Sequence, residues 1–181
     1  MTKATGPRFE VHFRRRRKGM TDYASRLALL KSGKPRLVVR KTNRYIIAHI
    51  ANSGDKGDLT VTSATSKQLA QYGFAGKCNA PSAYLTGFLV AKRAIAAGVT
   101  EANLDIGLHT STQGSIVFVA LKGAVDAGLK SNLDEAKLPD ESRINGSHLK
   151  LEAAFEKAKQ AIAQNPSAKP KTVRAKKVEK K

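Results

Sequence analysis

"PRLVVRKTNRYIIAHIANSGDKGDLTVTSA", residues 35–64, decides the fold. Residues 36–40 and 45–51 are short apolar runs rich in β-branched side chains, and they read as strands. Lys41-Thr42-Asn43-Arg44 joins them as a tight turn, with Asn43 able to take the left-handed conformation such turns often need. The loop 52–58 turns the chain again, and 59–64 alternates well enough for a third strand. Three short strands with short links make an antiparallel meander. "GDKGD", 54–58, invites a phosphate-loop reading, but its two acids and its spacing make it a surface turn.

Upstream, Thr21 can cap a helix that starts at Asp22 and carries Tyr23, Leu27 and Leu30 on one stripe, with Ala24 and Ala28 beside it. Gly33 and Pro35 stop it. Downstream, 65–72 reads as a brief helix ending at Gly73. The clearest helix spans 80–97, capped by Asn79, with Pro81 in its first turn and Tyr84, Leu85, Phe88, Ala91 and Ile95 on one face. "NLDIGL", 103–108, and "SIVFVAL", 115–121, read as two more strands, and 123–129 as a short helical element. A polar loop, 130–145, precedes a last helix from about Ser147 to Ala163, with Leu151, Ala154, Phe155, Ala158 and Ile162 as its stripe. The expected fold is α/β: a mixed sheet with an antiparallel meander and packed helices, in two or three layers. The expected organisation is a basic N-terminal arm, 1–19, a single α/β RNA-binding domain, 20–163, and a basic disordered tail, 164–181.

Charge is distributed in the same three blocks. The 181 residues carry 33 basic and 14 acidic side chains, a formal net charge of +19. Residues 1–44 are net +12, residues 45–149 are neutral, and residues 150–181 are net +7. A neutral body with two cationic ends points to a polyanionic partner. The single cysteine, Cys78, allows neither an intrachain disulfide nor paired thiolate metal ligands, and reads as a buried residue beside a helix. No apolar run is long enough for a membrane span or a secretory signal, so no membrane partner is expected.

Catalytic signatures are missing. Neither dinucleotide, Walker, zinc-protease nor nucleophile-elbow patterns occur. The histidines are scattered at 12, 49, 109 and 148, with His49 in a strand, and Asp105 and Asp126 form no recognisable acid–base pair. The expected activity is binding without covalent chemistry, cofactor or metal. A small-ligand enzyme remains a separate class, and it would require a cavity lined by convergent acids or histidines.

"FRRRRKGMTDYASR", 13–26, is the strongest binding signal. Arginine presents a planar fork to phosphate oxygens, and lysine a mobile point charge. Arg14, Arg15, Arg16, Arg17 and Lys18 run straight into the first helix, so the charge is tethered to the body. Arg8 precedes them on the same arm. Phe13 and Tyr23 flank the patch and offer rings to unpaired bases, although Tyr23 also falls on the helix stripe and reads as core. Arg36, Arg40, Lys41 and Arg44 add charge around the first hairpin. No helix-turn-helix spacing singles out DNA, and structured RNA suits a tethered arm on a shaped body.

Five stretches carry a resemblance: "RRRRKGMTDYASRL" (14–27), "KPRLVVRKTNRYIIAHI" (34–50), "NAPSAYLTGFLVAKRA" (79–94), "LDIGLHTSTQGSIVFVALKGAVDAGL" (104–129) and "RINGSHL" (143–149). In their order they resemble the large-subunit ribosomal protein family that binds 5S ribosomal RNA, in its archaeal form. The chain lacks the long C-terminal extension of eukaryotic relatives, and its insertions exceed the bacterial form. The resemblance implies a protein that holds 5S rRNA in the central protuberance, docks it on 23S rRNA and touches neighbouring large-subunit proteins. It implies a cytoplasmic location in the large ribosomal subunit. By motif it assigns RNA contact to Arg14–Lys18, Thr21, Tyr23 and Arg26, and extends that surface over Arg36, Arg40, Thr42, Asn43 and Arg44. It makes RNA-facing loops of 107–115, with His109, and of 143–148, with Arg143 and His148. After "DAGL" the family commonly has a Pro-His step where this chain has Lys130-Ser131-Asn132, so no histidine role transfers there. An RNA chaperone or assembly factor outside the mature ribosome is the alternative.

Overall fold

The computed structural model describes residues 6–7, 9–54 and 57–166. The elements in chain order are α1 (Arg14–Arg17), α2 (Tyr23–Lys31), β1 (Arg36–Lys41), β2 (Ile46–Gly54) and β3 (Gly57–Thr65). A 3-10 helix (Ser66–Tyr72), α3 (Ala80–Ala96), β4 (Asn103–Asp105) and α4 (Ile116–Asp126) follow. The chain then forms a 3-10 turn (Glu135–Lys137), α5 (Glu141–Asn145), a second 3-10 turn (Ser147–Leu149) and α6 (Glu152–Gln164).

The meander forms as expected. β1 pairs with β2 and β2 with β3, both antiparallel, and β4 adds to the far side of β1 in parallel, giving the order β3-β2-β1-β4. Strand alternation sorts the side chains. Leu37 and Val39 of β1 and Ile46, Ala48 and Ile50 of β2 enter the main core with α3 and α4. Arg36, Val38 and Arg40 point to the opposite face, with His49 across from Val38 and Asp105 beside it. α2 lies on that opposite side, α3 and α4 cover the inner face, and α5 and α6 pack outside α3.

α3 starts as its sequence dictates: Asn79 accepts from the Ser82 N–H at 3.1 Å, and Pro81 occupies the first turn. It is buried continuously from Pro81 to Ala91. The 3-10 helix ends at Gly73, and α6 buries Phe155, Ala158 and Ile162.

Four local expectations are corrected. Residues 116–121 are helical, forming the first part of α4, with Ser115 just before it. Val117 to Leu121 are buried without interruption, and a run buried on all sides carries no period to separate helix from strand. What settles it is the close contact with α3. A Cβ on Gly87 would sit 1.9 Å from the Ala120 carbonyl oxygen, and one on Gly123 would sit 2.1 Å from that of Tyr84. Two glycines let the helices touch backbone to backbone, a contact no strand there would make. β4 stops at Asp105 rather than 108, because the Asp105 carboxylate turns back to accept the Gly107 N–H at 2.9 Å. The loop 130–145 contains helical turns. The last helix begins at Glu152, after a break at Gly146 and Lys150, whose φ values are +80° and +55°.

Among the described residues, no helix is long and apolar enough to cross a membrane. The tail expected to be disordered lies outside the described residues from 167 onward, as do Asp55 and Lys56 of the "GDKGD" turn.

Candidate nucleic-acid interface

The arginine run folds into the single turn α1, and Gly19 ends it in the left-handed region at φ +61°. Its N–H donates to the Arg16 carbonyl at 3.0 Å, and that of Met20 to Arg15 at 2.9 Å. Arg14, Arg16, Arg17 and Lys18 are exposed, and among the described residues their side chains make no hydrogen bond or ion pair. Arg15 is braced: its Nε donates to Thr21 Oγ1 at 2.8 Å.

The start of α2 carries a correction, because Asp22 caps it in place of Thr21. The Asp22 Oδ1 accepts from the N–H groups of Ala24 and Ser25 at 3.0 and 3.3 Å. Its carboxyl lies below the ordinary value, first because the Ser25 hydroxyl donates to it, then through those backbone bonds, with the charge of Arg16 adding. The stripe of α2 is not core. No residue of the helix is buried, and Leu27 is 54% exposed. Tyr23 is half-buried, its ring 5.3 Å from that of Phe13 at 48°.

On the outer face of the sheet, five side chains form an ionic ladder. Arg26 meets Asp58 at 2.8 Å, Asp58 meets Arg36 at 2.7 Å, Arg36 meets Asp105 at 3.0 Å and Asp105 meets Arg40 at 2.8 Å. Arg40 also donates to the carbonyls of Asp105 and Val39 at 2.6 and 2.9 Å. Burial pushes both carboxyls up, but the arginine bonds outweigh it and hold Asp58 and Asp105 below their ordinary values. His49 on the same face is held below its ordinary value, first by burial and then by the charge of Arg40.

Arg36 is only 2% exposed. It sits on a central strand, flanked by β2 and β4, and its charge is taken up by two carboxylates. It therefore has no surface to give a phosphate, which corrects its placement on the RNA-facing surface. Among the described residues its buried Nε has no acceptor, while its Nη2 meets Asp58 at 2.7 Å.

The β1–β2 hairpin closes through Thr42. Its Oγ1 donates to the Tyr45 carbonyl at 2.7 Å and accepts the Tyr45 N–H at 2.9 Å. These bonds make a left-handed Asn43 unnecessary, and Lys150 is the one described non-glycine residue with positive φ. Lys41, Thr42, Asn43 and Arg44 are all exposed. The Lys41 N–H donates to His109 Nε2 at 3.3 Å, which joins the hairpin to the loop after β4.

These parts meet around an open cleft of about 850 Å³ between α2 and residues 104–111. Arg15, Thr21, Arg26, Arg40 and His109 all line it, with exposed Met20 and Leu108. The structure thus brings together five residues singled out from three separate stretches. Arg143 and His148 are exposed on α5 and the turn after it and line no part of the cleft. They lie where Gly146 packs against Pro81, at the start of α3. Arg8 lies outside the described residues.

Sequence reading passed over Asp58 and Asp105 as site residues. Their signal was present: Arg36 and Asp105 are charges on strands, and a charge on an inner strand needs an opposite charge beside it.

The chain matches the family described as ribosomal large subunit proteins 60S L5 and 50S L18, over residues 7–103 and 95–132. It is 54% identical to the large ribosomal subunit protein uL18 of Methanobrevibacter smithii over 147 residues, 81% of this chain and 76% of the relative. The uL18 protein of Halobacterium salinarum is 54% identical over 81% of this chain and 80% of its own length. That of Korarchaeum cryptofilum is 55% identical over 81% and 75%.

Proposed function

This chain belongs to the family of ribosomal large-subunit proteins 60S L5 and 50S L18, and we propose that its working surface is the cationic end that grips 5S ribosomal RNA. It is an archaeal-type structural protein of the large ribosomal subunit, a member of a family of ribosomal structural proteins and not of enzymes. Its partners are 5S rRNA, 23S rRNA and the neighbouring proteins of the central protuberance, in the cytoplasm. Residues 20–163 act as the RNA-binding body, 1–19 as a basic arm and 164–181 as a basic tail.

The observation that carries this reading is the split between two sets of arginines. Arg26, Arg36 and Arg40 are tied to carboxylates on the sheet, while Arg14, Arg16, Arg17 and Lys18 stand exposed on a turn fixed beside them. The first set holds α2 and the hairpin end in place. The second neutralises phosphates, and the shape of the cleft end selects the RNA. Lys41, Asn43 and Arg44 extend the phosphate-facing surface along the hairpin, with Arg143 and His148 on a separate exposed patch.

Competition binding tests this. Labelled 5S RNA is challenged with unlabelled 5S RNA or with an unrelated duplex of equal length, across a range of salt. Preferential retention of 5S RNA at physiological salt is expected. Equal competition by both RNAs would overturn the assignment in favour of a general RNA chaperone.

A further inference from the structure

We propose that Phe13 is a stacking platform for one unpaired nucleobase of the bound RNA. The inference rests on the RNA reading above and adds a second kind of contact to it. Phe13 is 71% exposed, the most exposed of the large apolar side chains among the described residues. Single exposed hydrophobes are ordinary on a protein surface. This one differs in being held and in what surrounds it.

Phe13 caps α1, and its carbonyl accepts the Arg17 N–H at 3.0 Å, so its backbone is fixed by the turn that presents the arginines. Its ring is backed by Tyr23, which is itself placed by the Asp22 cap and by the tie from Arg26 to Asp58. The two aromatic residues therefore have different parts. Tyr23 is the support, half-buried against Phe13. Phe13 is the exposed surface, with four arginines following it in the chain.

The surroundings name the occupant. An apolar partner protein would have to bring its own surface against Arg14–Lys18, whereas an RNA strand satisfies both features at once. Its phosphates meet guanidinium groups, and an unstacked base covers the ring. Holding the ring in advance reduces the ordering cost of the contact.

Two variants of the full chain test this, with 5S RNA as the probe. Phe13→Leu keeps an apolar side chain and removes the aromatic face. It is expected to weaken 5S binding about 5- to 150-fold, the range for loss of one base–aromatic stack. The salt dependence should stay as in the wild type, because no phosphate contact is lost. Phe13→Trp retains the face and introduces the chain's single tryptophan, since the sequence contains none. Its emission should be quenched by 5S RNA, saturating at the same RNA concentration as binding.

Wild-type affinity in Phe13→Leu, or tryptophan emission untouched by saturating 5S RNA, overturns the proposal. Emission that responds only when a neighbouring large-subunit protein is added overturns it in favour of an apolar protein contact. If the wild type shows no preference for 5S RNA, the functional reading itself falls and takes this one with it. If the preference stands and the Phe13 results fail, the stacking contact alone is rejected.

Discussion

Replacing Asp105 with Asn removes the charge that Arg36 and Arg40 share while keeping the shape of the side chain. The consequences for the two arginines differ. Arg40 is 38% exposed and rehydrates, so its lost ion pair costs little. Arg36 is 2% exposed and cannot. It retains Asp58, but Asp58 is shared with Arg26, so the buried guanidinium is left under-compensated. Breaking a buried pair from one side costs about 3–5 kcal/mol. The amide oxygen can still accept one bond, which places the expected loss near the lower end, about 3 kcal/mol. For a chain of this length that corresponds to a fall in Tm of about 6–12 °C. Urea unfolding at pH 7 should show a lower midpoint with an unchanged slope. The pH dependence supplies a second arm. The Asp105 carboxyl is held below its ordinary value of 3.8, so it stabilises the fold fully above pH 3.8. That stabilisation is lost as pH falls through the depressed value. The gap between wild type and Asp105→Asn should therefore close towards acid. An unchanged midpoint at pH 7, or a gap that stays constant down to pH 3, would refute the ladder as a source of stability.

Two further outcomes follow from the same geometry. Gly87→Val should be severely destabilising, by at least about 3 kcal/mol, since even its Cβ would meet the Ala120 carbonyl and helix α3 would have to part from α4. A thermal midpoint within about 2 °C of wild type would contradict the backbone contact, on the scaling expected for a chain of this length. Replacing Arg14–Arg17 with Ser should leave the unfolding midpoint in place while weakening 5S binding and flattening the plot of log affinity against log salt by about 2–3 units, as expected for the loss of about three phosphate contacts, those of Arg14, Arg16 and Arg17. A filter-binding salt series with the wild-type slope would exclude those contacts.

The elements legible in the sequence were those with a local signal of their own. Asn79 and Pro81 mark the start of α3, Gly73 ends the 3-10 helix, and the alternation in 46–50 sets the inward face of β2. α4 was misread because its information is relational. Val117 to Leu121 look the same to a strand as to a helix, and only the partner surface at Tyr84 and Gly87 distinguishes them. The same holds in the site. The exposed arginines of α1 could be picked out by density alone, and Arg36 could not be separated from them. Whether an arginine faces solvent or two carboxylates depends on Asp58 and Asp105, far from it in sequence and adjacent only after the sheet forms. Thr21 and Asp22 show the problem at its smallest scale. Both suit an N-cap; the helix takes Asp22, and the threonine hydroxyl meets Arg15 instead.

The tie from Arg26 to Asp58 has a consequence for measurement. Both partners are partly open to solvent, at 36% and 29% exposure, so added electrolyte screens this bond between α2 and the sheet. The same electrolyte competes with the arginines of α1 for phosphate. An ionic-strength titration of this protein consequently reads two equilibria at once: release of counterions from the RNA, and loosening of the mount on which the arm is carried. The number of phosphates inferred from the raw slope will exceed the number touched. Locking α2 to the sheet by other means would recover the true count.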